Sequence, residues 1–177
     1  MAAGKRLSFD PIEEARRQWD AHGWSEASAG MAMVTSIMRA HQVLMGRVDR
    51  ALAGLHLSFA RYEVLMLLLF SRKGALPLGK VGARLQVHPA SVTNAVNRLE
   101  ADGLLRRVPH PTDRRTTLAE ITPEGRELAR RATEALNAEV FSTTGLTPRQ
   151  LDQLFQLVRR LRAAEGDFDE NGSGGAG

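Results

Sequence analysis

The stretch from Leu78 to Gly125 constrains this chain most, because two helical periods give way within it to a strand-like alternation. Leu78, Val81 and Leu85 mark a two-turn helix, Gln86, Val87 and His88 make a tight connection, and Pro89 opens a second helix. In that second helix Val92, Val96 and Leu99 share one side. At 100° per residue Ala90, Asn94, Asn97 and Ala101 point directly away from it, flanked by Ser91, Thr93 and Arg98. Gly103 stops the helix, and Leu104 to Pro109 and Arg115 to Thr122 read as two strands around a turn containing Pro111, Thr112 and Asp113. Two short helices followed by an Arg-rich hairpin are the layout of a winged helix-turn-helix. A face of small residues and amides can lie flat in a groove, so double-stranded DNA is the expected partner.

Charge agrees with this through its distribution. The net charge of +4 is small, but Arg106, Arg107, Arg114 and Arg115 lie close together, whereas the chain closes on the acidic, Gly-rich EGDFDENGSGGAG. A local basic face suits a polyanion, although basic clusters are more often plain solvated surface. There is no cysteine, which excludes disulfides, thiolate metal sites and thiol redox switching within the chain. The longest apolar run, Val64 to Phe70, is far short of the roughly 20 residues a membrane span needs, so a cytoplasmic protein without membrane contact is expected.

The flanking segments read as helices. Asp10-Pro-x-Glu13 supplies an N-cap, a first-turn proline and a capping box, and Ile12, Ala15 and Trp19 then share a face up to Gly23, with Trp24 anchoring the same contact. A long helix is predicted from about Ser28 to Leu52, with Val34, Met38, His41, Met45, Val48 and Leu52 in a coiled-coil-like stripe that Ile37 and Leu44 widen. So broad a stripe suits contact with both its own domain and a second chain. Ser58 caps a buried central helix reaching Phe70. Thr122-Pro-Glu opens a helix with Leu128, Leu136 and Val140 on its apolar side. Thr147-Pro-Arg-Gln150 is a second capping box, before a stripe of Leu151, Leu154, Phe155, Val158 and Leu161.

Taken together, SVTNAVNRLEADGLL (Ser91 to Leu105), seven residues, Asp113-Arg114-Arg115, six residues and then Thr122-x-x-Gly125 resemble the MarR family of bacterial transcriptional regulators, over roughly residues 30 to 163. The resemblance implies a mainly α fold with a small β-hairpin wing, a winged helix-turn-helix with N- and C-terminal dimerisation helices. It divides the chain into an N-terminal arm (1–27), dimerisation helices (28–56 and 122–165), a DNA-binding region (57–121) and a disordered tail (166–177). It further implies a homodimer presenting one winged domain to each of two successive major grooves. A cleft between the dimer helices and the winged domain would take a small ligand, in many relatives a phenolic or other aromatic acid that releases a repressor from DNA.

For base readout, Asn94 and Asn97 can offer amide donors and acceptors, with adenine the favoured partner, and Arg98 can reach guanine or phosphate. Ser91 and Thr93, in the first turn, are placed for phosphates, and His88 is either a phosphate contact or an ordinary turn residue. The family pattern D-x-R puts Arg115 into the minor groove with Asp113 orienting it, and Arg114 on phosphate or a second groove position. An aspartate beside DNA makes sense as a clamp on a guanidinium, or as a hairpin salt bridge worth under about 1 kcal/mol. His41 reads as an interface residue or as part of the ligand cleft, with Arg61, Tyr62 and Glu63 nearby. Trp19 reads as packing for the arm, or as the aromatic contribution that some relatives make to a urate-type site.

Catalysis and cofactors are not expected. His22, His41, His56, His88 and His110 are scattered without ligand spacing, and neither a G-x-S-x-G nor a phosphate-binding glycine loop is present. The alternative to a DNA-binding regulator is a winged-helix protein–protein interaction module, which would expose apolar anchors on the second helix and the wing.

Overall fold

A computed structural model describes residues 7–85, 89–113 and 115–169. The expected Gln86–His88 connection, Arg114 and residues 170–177 lie outside the described residues. The elements run α1 (Pro11–Ala21), α2 (Ser25–Ala53), α3 (Phe59–Phe70), β1 (Ala75–Pro77), α4 (Leu78–Leu85), α5 (Pro89–Ala101), β2 (Leu105–Pro109), β3 (Thr117–Ile121), α6 (Pro123–Leu136), a π turn (Asn137–Phe141) and α7 (Pro148–Ala164). They form two compact units, Met1–Val140 and Phe141–Gly177.

In the first unit α3 is the hub, packing on α6, α5 and the sheet. Its Val64, Leu65 and Leu68 join Leu52, Val81, Val96, Leu99, Leu105, Ala119 and Leu136 in one core. Its N-terminus is capped by Ser58, whose Oγ accepts from Arg61 N. α4 lies beside α5, and a Cβ at Gly82 would make only an ordinary van der Waals contact with Val92 Cγ2, at 3.4 Å.

The sheet is antiparallel in the order β1-β3-β2, with Leu105 opposite Ile121 and Pro109 opposite Thr117. The hairpin was legible, but β1 was not. Three residues ending in proline show no alternation, and Pro77 is tolerated because β1 is an edge strand.

Helix starts follow the predicted caps, with two shifts. Asp10 accepts from Ile12 N at 2.9 Å, but Glu13 makes no return bond among the described residues, so α1 has half of the expected capping box. The long helix begins at Ser25, and Ser28 is buried inside it, its hydroxyl donating to Ser25 O. That helix divides along its length. Val48, Ala51 and Leu52 enter the core, whereas Val34, Ile37, Met38 and Leu44 are exposed in the single chain.

The second unit contains α7, closed at its start by the full Thr147–Gln150 capping box. No residue of α7 is buried: Leu154, Phe155 and Leu157 are 50%, 58% and 64% exposed. Disorder was expected from Gly166 onward, but the chain keeps contacts to Phe168. Asp167 bonds the Arg162 side chain at 2.6 Å, and Phe168 lies under the guanidinium groups of Arg159 and Arg162. Cation–π attraction and an ion pair hold this last turn.

Candidate nucleic-acid interface

α5 presents its two faces as the helical period requires. Val92, Ala95, Val96 and Leu99 are buried, and Ser91, Thr93, Asn94, Asn97 and Arg98 are exposed along the other side. Asn94 and Arg98 are exposed and make no side-chain hydrogen bond or ion pair among the described residues, so both are available to a ligand. No large apolar residue lies on this face, which removes the anchors an interaction module would need.

Asn97 is engaged. Its Oδ1 accepts from Arg107 Nη2 at 2.6 Å, and Arg107 also pairs with Glu100 through its guanidinium and through its backbone N–H at 3.2 Å. The wing strand β2 is thereby tied to the helix beside it.

The hairpin is less basic than its sequence suggests. Residues alternate across a strand, so Arg106 and Arg107 leave opposite faces of β2. Arg106 pairs with Glu120 directly across the ladder at 3.0 Å, a bond that raises its already high pKa, and Arg107 pairs with Glu100. Each of these arginines is balanced by a carboxylate, although Arg106 stays exposed, which leaves Arg98 and Arg115 as the arginines of the helix and wing without an ion pair among the described residues.

At the wing tip Asp113 bonds no guanidinium among the described residues. Its Oδ1 accepts the backbone N–H of Arg115 at 2.9 Å and its Oδ2 accepts the Thr116 hydroxyl at 2.7 Å. These bonds, the Thr116 hydroxyl first, hold its carboxyl below the ordinary value for aspartate. The expected side-chain pair is replaced because a carboxylate two residues before a free N–H closes a turn with less ordering than a long arginine requires. Arg115 is therefore oriented through its backbone, with its side chain exposed.

His110, read earlier only as a scattered histidine, completes this turn. Its Nδ1 faces the N–H groups of Thr112 at 3.3 Å and Asp113 at 3.2 Å. A ring accepting at Nδ1 carries its proton on Nε2, which makes His110 a potential donor at the wing tip. The signal was in the sequence as His-Pro-Thr-Asp, a side-chain acceptor just before a turn.

Thr122-x-x-Gly125 has a structural role. Thr122 Oγ1 accepts from Gly125 N and donates to Gly103 O, and Thr122 N bonds Leu104 O, so the start of α6 is sewn to the base of the wing.

Of the ligand candidates, Arg61 is committed elsewhere. Its side chain, 18% exposed, bonds Asp102 at 3.1 Å, Ser58 Oγ at 3.4 Å and His56 O at 2.5 Å, which braces the left-handed backbone of His56 (φ 50°). Tyr62 is also structural, bonding Thr133 Oγ1 at 3.1 Å. Half-burial of Glu63 raises its carboxyl pKa by desolvation. His41 is exposed on the free half of α2. Trp19 stands edge-on to Trp24 at 5.4 Å in the α1–α2 elbow, and both line an open cleft with Glu26.

Among the described residues no helix is long and apolar enough to cross a membrane, and no group of three or more His, Asp or Glu side chains could hold a metal.

A sequence model of the MarR family matches residues 57–117. The uncharacterized HTH-type transcriptional regulator YhbI of Bacillus subtilis is 30% identical over 115 residues, 63% of this chain and 73% of that protein. The solved structure of Sco5413, a MarR family transcriptional regulator from Streptomyces coelicolor, is 48% identical, with a TM-score of 0.72 over 80% of this chain and 99% of that one. BpsR of Bordetella bronchiseptica, whose DNA binding is regulated by 6-hydroxynicotinic acid, is 28% identical, with a TM-score of 0.67 over 76% of this chain and 93% of that one. With the family match over the winged region and these relatives covered over most of their length, this chain belongs to the MarR family of transcriptional regulators.

Proposed function

We propose that this protein is a homodimeric, cytoplasmic repressor that reads a pseudopalindromic operator and acts by binding alone, without catalysis. The observation that carries the reading is the exposed polar face of α5, set beside a wing whose Arg115 is free. In this reading Asn94 and Arg98 contact base edges in the major groove, Ser91 and Thr93 contact phosphates, and Arg115 enters the minor groove with Arg114 beside it. Half-sites one helical turn apart, about 34–36 Å, match one winged domain per subunit.

The unpartnered stripes on α2 and α7 support dimerisation, since exposed leucine and phenylalanine stripes of this length are covered in stable assemblies. A small aromatic or acidic ligand then releases the DNA, as the regulation of BpsR by 6-hydroxynicotinic acid supports. His41 and Trp19 are the residues proposed to meet it, and Arg61 is withdrawn from that set.

Selection of bound DNA from a random library at low salt tests this. An enriched palindrome is expected; no enrichment overturns the reading. On that site Asn94→Ala should relax specificity at one base pair by about 1–3 kcal/mol, while Arg115→Ala should weaken all sequences and lower the salt slope by about one.

A further inference from the structure

An asparagine in a recognition helix is ambiguous until its amide is oriented, because the oxygen accepts, the nitrogen donates, and either can face the DNA. In this chain the ambiguity is resolved at position 97. Arg107 Nη2 donates to Asn97 Oδ1 at 2.6 Å, and the reversed amide would set its NH2 against a guanidinium that has only donors. Arg107 is not free to turn away. Glu100, one helical turn beyond Asn97, holds its guanidinium by an ion pair and its backbone N–H at 3.2 Å, and the β2–β3 ladder fixes the strand beneath it. Both charged side chains are about two-thirds covered, so the arrangement is screened less than a surface pair.

We infer that Arg107 is a positioning residue that makes Asn97 a donor toward the major groove, so that Asn97 selects a keto base, guanine or thymine, over an amino base. This rests on the DNA-binding reading above and corrects the adenine contact expected from the sequence. Guanine offers N7 and O6 and thymine offers O4 as acceptors, whereas cytosine offers only an amino group and adenine sets its N7 beside an N6 amino group that repels the second hydrogen of the Asn97 NH2. Bidentate recognition of adenine needs the Asn97 oxygen turned to the base edge, and Arg107 turns it toward the wing strand instead. The wing and the helix are then one reading unit: a change in a strand that touches no base alters which base the helix accepts.

The test is library selection with the wild-type dimer and three variants, after thermal melts establish that each variant folds. Asn97→Ala locates the base pair read by residue 97, as the position whose preference it erases. At that pair the wild type should prefer guanine or thymine over adenine by about tenfold. Arg107→Ala, which frees the oxygen, should lower that ratio by about tenfold and admit adenine, while Arg107→Lys, which still donates, should keep the wild-type preference. A wild-type preference for adenine at this pair overturns the inference whether or not Arg107→Ala folds. So does a folded Arg107→Ala with an unchanged preference. Either result leaves an enriched palindrome intact, so the DNA-binding reading fails only if no variant and no wild type enriches any site.

Discussion

Gly125→Ala is the substitution whose sign the structure reverses. In an ordinary helix the change stabilises by about 0.5–1 kcal/mol, because glycine loses more backbone freedom on folding. Position 125 lies in the first turn of α6, where a Cβ would stand 2.0 Å from Leu104 O and 3.0 Å from Ile121 Cγ1. The first distance is more than 1 Å inside ordinary contact, and the atom met is backbone. That carbonyl also accepts Thr122 N at 3.2 Å, so moving it parts the seam between α6 and the base of the wing. Overpacking of this kind costs about 3 kcal/mol, at the upper end of its usual range. Less about 1 kcal/mol of helix gain, the net loss is roughly 2 kcal/mol, a fall in melting temperature of about 4–8 °C for a chain of this size. Urea unfolding at one fixed protein concentration measures it, since dimerisation makes stability concentration-dependent. Gly79→Ala is the control: nothing lies within 4 Å of its Cβ, so it should be neutral or up to about 1 kcal/mol more stable. Gly125→Ala at or above wild-type stability would refute the reasoning.

Arg61→Met keeps the stem but removes the bonds to the exposed His56 carbonyl and Asp102, and urea unfolding should show a loss of about 0.5–1.5 kcal/mol, with wild-type stability counting against the brace. The Asp113 carboxyl is held below its ordinary value, so the wing-tip turn should be complete above the unfolded pKa of about 3.9 and melt only as pH falls through the lower folded value. The amide resonance of Arg115 reports this, and a midpoint at or above the unfolded value contradicts it. Phe155→Glu on the exposed stripe of α7 should convert the dimer to monomer in sedimentation at micromolar concentration while α-helical circular dichroism persists. A dimer of unchanged affinity would move the interface elsewhere.

The capped helix starts, the buried face of α5 and the hairpin were determined by the sequence alone, because each is a local rule, whereas α2, which has no side-chain cap, begins before its expected start. A cap needs an oxygen beside a free N–H, as at Thr147 and Gln150, and a buried stripe needs only the helical period, as at Val92, Val96 and Leu99. What only the tertiary structure decided concerns pairs of groups distant in sequence or competing for one partner. β1 exists because β3 had a free edge for Ala75–Pro77 to complete. Arg61, readable as a ligand contact, is absorbed by Asp102 and His56; Arg106 is balanced by Glu120; and Asp113 serves the Arg115 N–H and the Thr116 hydroxyl. The same holds for Asn97. Its exposure on α5 follows from 100° per residue, but the direction of its amide follows from Arg107, ten residues away on a strand, because a hydrogen bond depends on which atoms the fold brings within 3 Å.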